Sequence, residues 1–146
     1  MTRCTLTILS LTAAVALSGC TAVEPISASG ACVRWESVWG ADEVYAAGEP
    51  LRDRTQLSLE SIADDWETAA SEARELGARV QGWEELAEAM REFADRAEEA
   101  ADGARTLAED SEDQGRRDEA ASRRRALEAA AEEVTGRCRI ERLDNY

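Results

Sequence analysis

Apolar residues recur along much of the chain at alternating steps of three and four. Leu59, Ile62, Trp66, Ala69, Ala73, Leu76, Val80 and Trp83 form one such series, the spacing that keeps side chains on a single helical face. A second series runs Trp83, Leu86, Met90, Phe93, Ala97, Ala100, Ala104, Leu107. It does not continue the phase of the first, because Val80 to Trp83 and Trp83 to Leu86 are consecutive steps of three. The slip falls on residues 77–82, between Gly77 and Gly82. Glycine accepts the backbone conformation found just past a helix end, and about six residues is an ordinary helix–helix connection. The pattern predicts a hairpin of two long helices; one long helix with a stammer at 77–82 is the alternative.

A third helical face carries Ala120, Arg124, Leu127, Ala131, Val134 and Cys138. Arg124 on that face must lay its apolar stem along the core and send its guanidinium outward. Gly136 is placed near the end of this helix, and the residues after it read as a last turn or an extended strap. The polar stretch at 108–115 separates the second and third helices. Residues 32–47 are ambiguous: Cys32, Trp35 and Trp39 share a helical face, whereas Val33 and Trp35 alternate as on a strand. The expected fold is all-α, a small antiparallel helical bundle of three long helices plus a shorter N-terminal element. Its stripes are rich in Ala, which lets helices approach closely but buries little area, so at roughly 25 cal/mol per Å² the core is expected to be modest.

The first nineteen residues carry a different pattern. Arg3 gives one positive charge, residues 6–17 are uncharged and mostly apolar, and Ser18 and Gly19 are small. The apolar run is shorter than the about 20 residues a helix needs to cross the hydrocarbon core, so 1–19 reads as a cleaved export signal. Its exit, Leu17-Ser18-Gly19-Cys20, resembles the lipobox of bacterial lipoproteins. In that family the cysteine thiol is acylated with a diacylglycerol and the leader is cut just before it. The resemblance implies that Cys20 is the lipidated first residue of the mature chain, held at a membrane by acyl chains. It covers only the leader and Cys20 and implies nothing about the fold. Residues 20–31 then comprise the lipidated cysteine and a flexible small-residue tether containing Pro25, and 32–146 the helical domain.

With Cys4 removed and Cys20 acylated, Cys32 and Cys138 remain, one towards each end of the domain. Exported proteins meet conditions that permit disulfides, so a Cys32–Cys138 bridge is expected. Closing a loop of about 100 residues contributes about 4.7 kcal/mol in the chain-entropy treatment. Three antiparallel helices would put the two cysteines at opposite ends. A fourth pass through residues 32–47 would bring them together, as would an extended return through 40–55. Trp35 and Trp39 either pack over the bridge or present an aromatic surface to a partner. Trp66 and Trp83 fall on the apolar series and read as core.

Charge narrows the function. The chain has 31 acidic and 17 basic residues, no His, and a net charge of −14; every basic residue is Arg, a bias that fits GC-rich coding. Such a protein is a poor partner for nucleic acid, which is bound by neutralising phosphates. From Trp83 to Asp113 there are twelve acids and three arginines; from Gly115 to Arg139, seven arginines and five acids. Adjacent antiparallel helices with those opposite biases attract, although exposed pairs contribute only about 0–1 kcal/mol each. Arg123, Arg124 and Arg125 are read as neutralising an acidic neighbour rather than as a phosphate-binding patch.

Without His there is no His-assisted nucleophile and no His-ligated metal. No Cys-x-x-Cys and no glycine-rich phosphate loop occurs. Asp64–Asp65 and Glu84–Glu85 read as solvated helix turns. Glu109, Asp110, Glu112 and Asp113 lack the ligand spacing of a calcium loop and read as an interhelix turn. The expectation is a non-enzymatic protein with no cofactor and no metal, lipid-anchored on the outer face of the cell membrane, or on the outer membrane of a two-membrane cell. It serves as a structural or protein-interaction component, with another envelope protein as partner. A binding protein for a small ligand or cation in an interhelical cleft is the second expectation.

Overall fold

The computed structural model describes residues 24–40 and 56–144. The leader, Cys20, residues 41–55 and the last two residues lie outside the described residues, and with them the C-terminal part of the 32–47 element. In chain order the elements are β1 (Ile26–Ser27), α1 (Ala28–Trp39), α2 (Gln56–Arg79), β2 (Val80–Gln81), α3 (Glu84–Glu109) and α4 (Gln114–Asp144). The protein is an all-α antiparallel helical bundle with a minimal two-stranded pairing at one end.

The apolar series predicted from sequence form the core. Leu59, Ile62, Trp66, Ala69, Ala73 and Leu76 of α2 are buried, as are Leu86, Met90, Phe93, Ala97, Ala100, Ala104 and Leu107 of α3. Helix α3 also buries Ala87, Ala94, Ala101 and Ala108, because it is the central helix and packs against α2 on one side and α4 on the other. On α4, Ala120, Leu127, Ala131, Val134 and Cys138 are buried. Arg124 keeps a half-buried stem while its Nε donates to Glu128 Oε1 at 2.8 Å.

The chain does reverse as a hairpin, but at residues 80–83, since α2 runs on through Arg79, and the two glycines act differently. Gly82 has φ +82°, the left-handed region that L side chains avoid, and is the residue at which the chain reverses. Gly77 is inside α2. A Cβ there would lie 2.9 Å from the Ala87 carbonyl oxygen and 3.3 Å from Met90 Cβ, so Gly77 permits the close approach of α2 to α3. Val80 and Trp83, the last members of the first apolar series, leave the helix and are only partly buried. Val80 pairs with Ile26 and Gln81 with Ser27, in parallel register.

Two further boundaries differ from the sequence reading. Residues 26–31, read as tether, belong to β1 and the start of α1. Ser27 explains the position: its extended backbone ends the strand, and its Oγ accepts from the Gly30 N–H at 3.1 Å, capping the helix. Gly136 does not end α4, which continues to Asp144. Val134 and Cys138 on either side of Gly136 are buried in the core, and that packing carries the helix through one glycine.

Helix α1 lies against α2 and α4 and runs antiparallel to both, with Cys32 bonded to Cys138 and Trp35 beside Thr135. Its 12 residues span only about 18 Å, whereas the 26 residues of α3 span about 39 Å. Among the described residues one half of the bundle is therefore four helices thick. In the other half α2, α3 and α4 are the helices among the described residues.

Candidate functional site

The sequence directed attention to the two cysteines and the two N-terminal tryptophans, and the fold brings these four together. Cys32 and Cys138 form a disulfide with Cα atoms 5.3 Å apart, joining residues 106 positions apart. Both are buried. Trp35 and Trp39, one helical turn apart on α1, share the face that carries Cys32. Trp35 is 2% exposed, and its indole Nε1 donates to Thr135 Oγ1 at 3.1 Å, which satisfies the one polar atom it takes into the core. Phe93 of α3 stands edge-on to both indoles, at 4.7 Å from Trp35 and 5.3 Å from Trp39. The indoles are parallel at 6.3 Å. Trp35 is thus spent on packing, and Trp39 is the half-exposed member of the trio. Cys20 lies outside the described residues.

Trp66 is buried at the far half of the bundle, whereas Trp83 is only partly buried. Trp83 precedes α3, and with Gly77, Val80, Gly82, Glu84 and Arg91 it lines a recess of about 660 Å³. The two charges there, Glu84 and Arg91, stand on one helix two turns apart. Arg91 Nε donates to its own helix at the Ala87 carbonyl, 3.1 Å.

Several carboxylates pair with arginines across helices. Arg105 of α3 reaches back to α2, where it pairs with Glu67 and, at 3.0 Å, with Asp64. The Arg105 hydrogen bond holds the Glu67 carboxyl below its ordinary range. Arg74 of α2 pairs with Asp95 at 3.0 Å and Glu98 at 2.6 Å on α3. Between α3 and α4, Arg137 pairs with Glu85 at 2.8 Å and Arg116 with Glu109 at 3.2 Å. Of the three consecutive arginines, Arg123 donates to the Glu99 carbonyl on α3 at 3.2 Å and pairs with Glu119 on its own helix. Arg125 is exposed.

The acidic stretch at 109–113 is an interhelix turn. Asp113 Oδ1 accepts the Arg116 N–H at 2.9 Å, capping α4, and Asp110 Oδ1 accepts the Glu112 N–H at 3.2 Å. Among the described residues no group of three or more His, Cys, Asp or Glu is arranged to hold a metal ion. No described helix is long and apolar enough to cross a membrane.

Sequence reasoning missed the α2–α3 straps made by Arg74 and Arg105. The signal available was the scarcity of Arg in two acidic helices, two in α2 and three in α3, with Arg74 and Arg105 at positions flanking the apolar series. It also missed Arg79, whose Nε donates to the Glu24 carbonyl at 2.8 Å, since nothing in the tether's composition marks it as docked. Comparison of this chain with family models, with curated proteins and with solved structures finds no match.

Proposed function

We propose that the chain is a lipid-anchored component of the cell envelope whose acidic bundle serves as a structural or protein-interaction element. The observation that carries this reading is the division of chemistry between inside and outside. Among the described residues no polar or charged residue is buried, so what the domain offers to other molecules is its charged surface. The Leu17-Ser18-Gly19-Cys20 motif supports the anchor, and the buried bridge fits an exported domain. No catalytic role is part of this reading.

Two experiments test it. The native protein is expected in the membrane fraction and in the detergent phase, with a diacylglyceryl mass on Cys20, whereas Cys20→Ala is expected to be released from the membrane. Crosslinking in intact cells is expected to yield a discrete envelope partner. Release of the wild-type protein without lipid contradicts the anchor, and crosslinking to nothing contradicts the interaction role.

A second reading, binding of a small ligand or cation, rests on the recess at Trp83, which combines an indole with Glu84 and Arg91. It predicts that a glycan or divalent cation raises the melting temperature of the wild type and not of Trp83→Ala. The absence of any shift across both classes rules that reading out.

A further inference from the structure

The docked N-terminal segment determines how far the bundle can stand from a bilayer, and which end faces it. Glu24 is fastened by Arg79, whose side chain is only 13% exposed and is itself held by Glu75 at 2.9 Å. From Ile26 the chain is paired with β2. On the reading that Cys20 carries the lipid, residues 21–23 alone separate the acylated residue from the fastened Glu24. Four Cα–Cα steps reach at most about 15 Å. The end of the bundle bearing β1, β2 and the Gly82 turn is therefore confined to the lipid surface. The turn at 110–113 lies the length of α3 away, about 39 Å.

Lying flat would press the flanks of a chain with net charge −14 onto the headgroups, which an anionic lipid surface opposes. The confined end, by contrast, presents Trp83, partly buried at the turn next to half-buried Val80. An indole with one apolar face and a wet N–H is the side chain that settles at headgroup level. From these observations we infer that the bundle stands end-on, with Trp83 in the headgroup layer and the acidic turn at 110–113 directed away from the membrane. This rests on lipidation at Cys20, and its partner is the lipid surface itself.

The test uses the full-length acylated protein in vesicles of phosphatidylcholine and phosphatidylglycerol, with or without bromine on the upper acyl chain as a short-range quencher. Brominated lipid is expected to remove no more than the emission share of one tryptophan in four. Trp83→Phe is expected to abolish that loss while leaving the far-UV dichroism unchanged. A flexible Gly/Ser insertion of about 20 residues between Val23 and Glu24, with a root-mean-square reach of ~25 Å, is expected to abolish it without changing any tryptophan. Failure of the wild type to float with the vesicles overturns the anchor and this inference with it. Vesicle-bound protein that is unquenched, or equally quenched in Trp83→Phe or in the insertion variant, overturns the end-on orientation and leaves the anchor standing.

Discussion

The two halves of the bundle solve one packing problem with different materials. In the half that carries α1, the described helices meet around Trp35, Trp39 and Phe93, and the covalent bond from Cys32 to Cys138 joins the 12-residue α1 to the 31-residue α4. In the other half α2, α3 and α4 meet through Ala63, Ala97, Ala101 and Ala104, with Trp66 and Leu127 as the bulky members, and Arg105 straps α3 to α2 from outside. Alanine seams give close backbones but little buried area, so the far half depends on three long helices keeping register. The near half depends on a helix too short to hold itself. Isolated helices of about 12 residues are marginal in water, so α1 stays helical because its buried face and the disulfide keep it against α2 and α4.

That contrast can be broken at several points. The largest effect is expected at the aromatic centres. Trp35→Ala and Trp66→Ala should each lose about 3–5 kcal/mol of stability in denaturant unfolding. Their coupling to the disulfide should differ. Reduction and Trp35→Ala both undo the docking of α1, so their effects should fall short of adding; reduction and Trp66→Ala act on separate halves and should add. Equal additivity for both tryptophans would dissolve the distinction between the halves.

Glycines test the seams. Gly77→Ala must displace the Ala87 carbonyl, which is backbone and cannot yield, so a loss of about 1–3 kcal/mol is expected from overpacking. Gly136→Ala faces open space within a continuous helix and should gain up to about 1 kcal/mol. A gain at Gly77 would show that the α2–α3 approach is not as tight as the geometry states.

The smallest expected effect belongs to the strap at the far half. Because the Arg105 hydrogen bond lowers the Glu67 carboxyl in the folded protein, its contribution is complete above the unfolded carboxylate value of about 4.3. It is lost as the pH falls through the lowered folded-state value. Glu67→Gln should therefore lower stability slightly at neutral pH and leave it unchanged in strong acid, which flattens the acid limb of a stability-versus-pH curve. An unaltered acid limb would remove Arg105–Glu67 from the account.

Much of this was legible in the chain, and the failures have physical causes. The three apolar faces could be read because Leu, Trp, Phe and Ala at helical spacing have no other place to go. The pairing of Cys32 with Cys138 was legible by elimination, once Cys4 and Cys20 were assigned to processing. Composition misled at Gly77 and Gly136. A glycine that relieves a contact between helices, or that is tolerated within one, looks the same in sequence as one that ends a helix. Only the positive φ of Gly82 separates them. Residues 26–31 are small and polar, as a tether would be, so composition alone sets the start of the domain at residue 32. What docks them is Arg79 and the edge of β2, distant in sequence and silent in composition. The phase of Trp83 points to the core, although the chain turns just before it and leaves its ring partly exposed. As for function, the chemistry that could be read from the leader concerns address, and the domain's surface charges carry no pattern that names a partner.

The central claim is that α1 belongs to the bundle because Cys32–Cys138 holds it there. Amide hydrogen exchange of the oxidised and reduced protein, followed peptide by peptide, tests this most directly. The account predicts that reduction strips protection from Ala28–Trp39 and from the part of α4 around Cys138, while Ala97–Ala108 and the first turns of α4 keep theirs. Protection in α1 that survives reduction, or a loss spread evenly over α1, α2, α3 and α4, would contradict it.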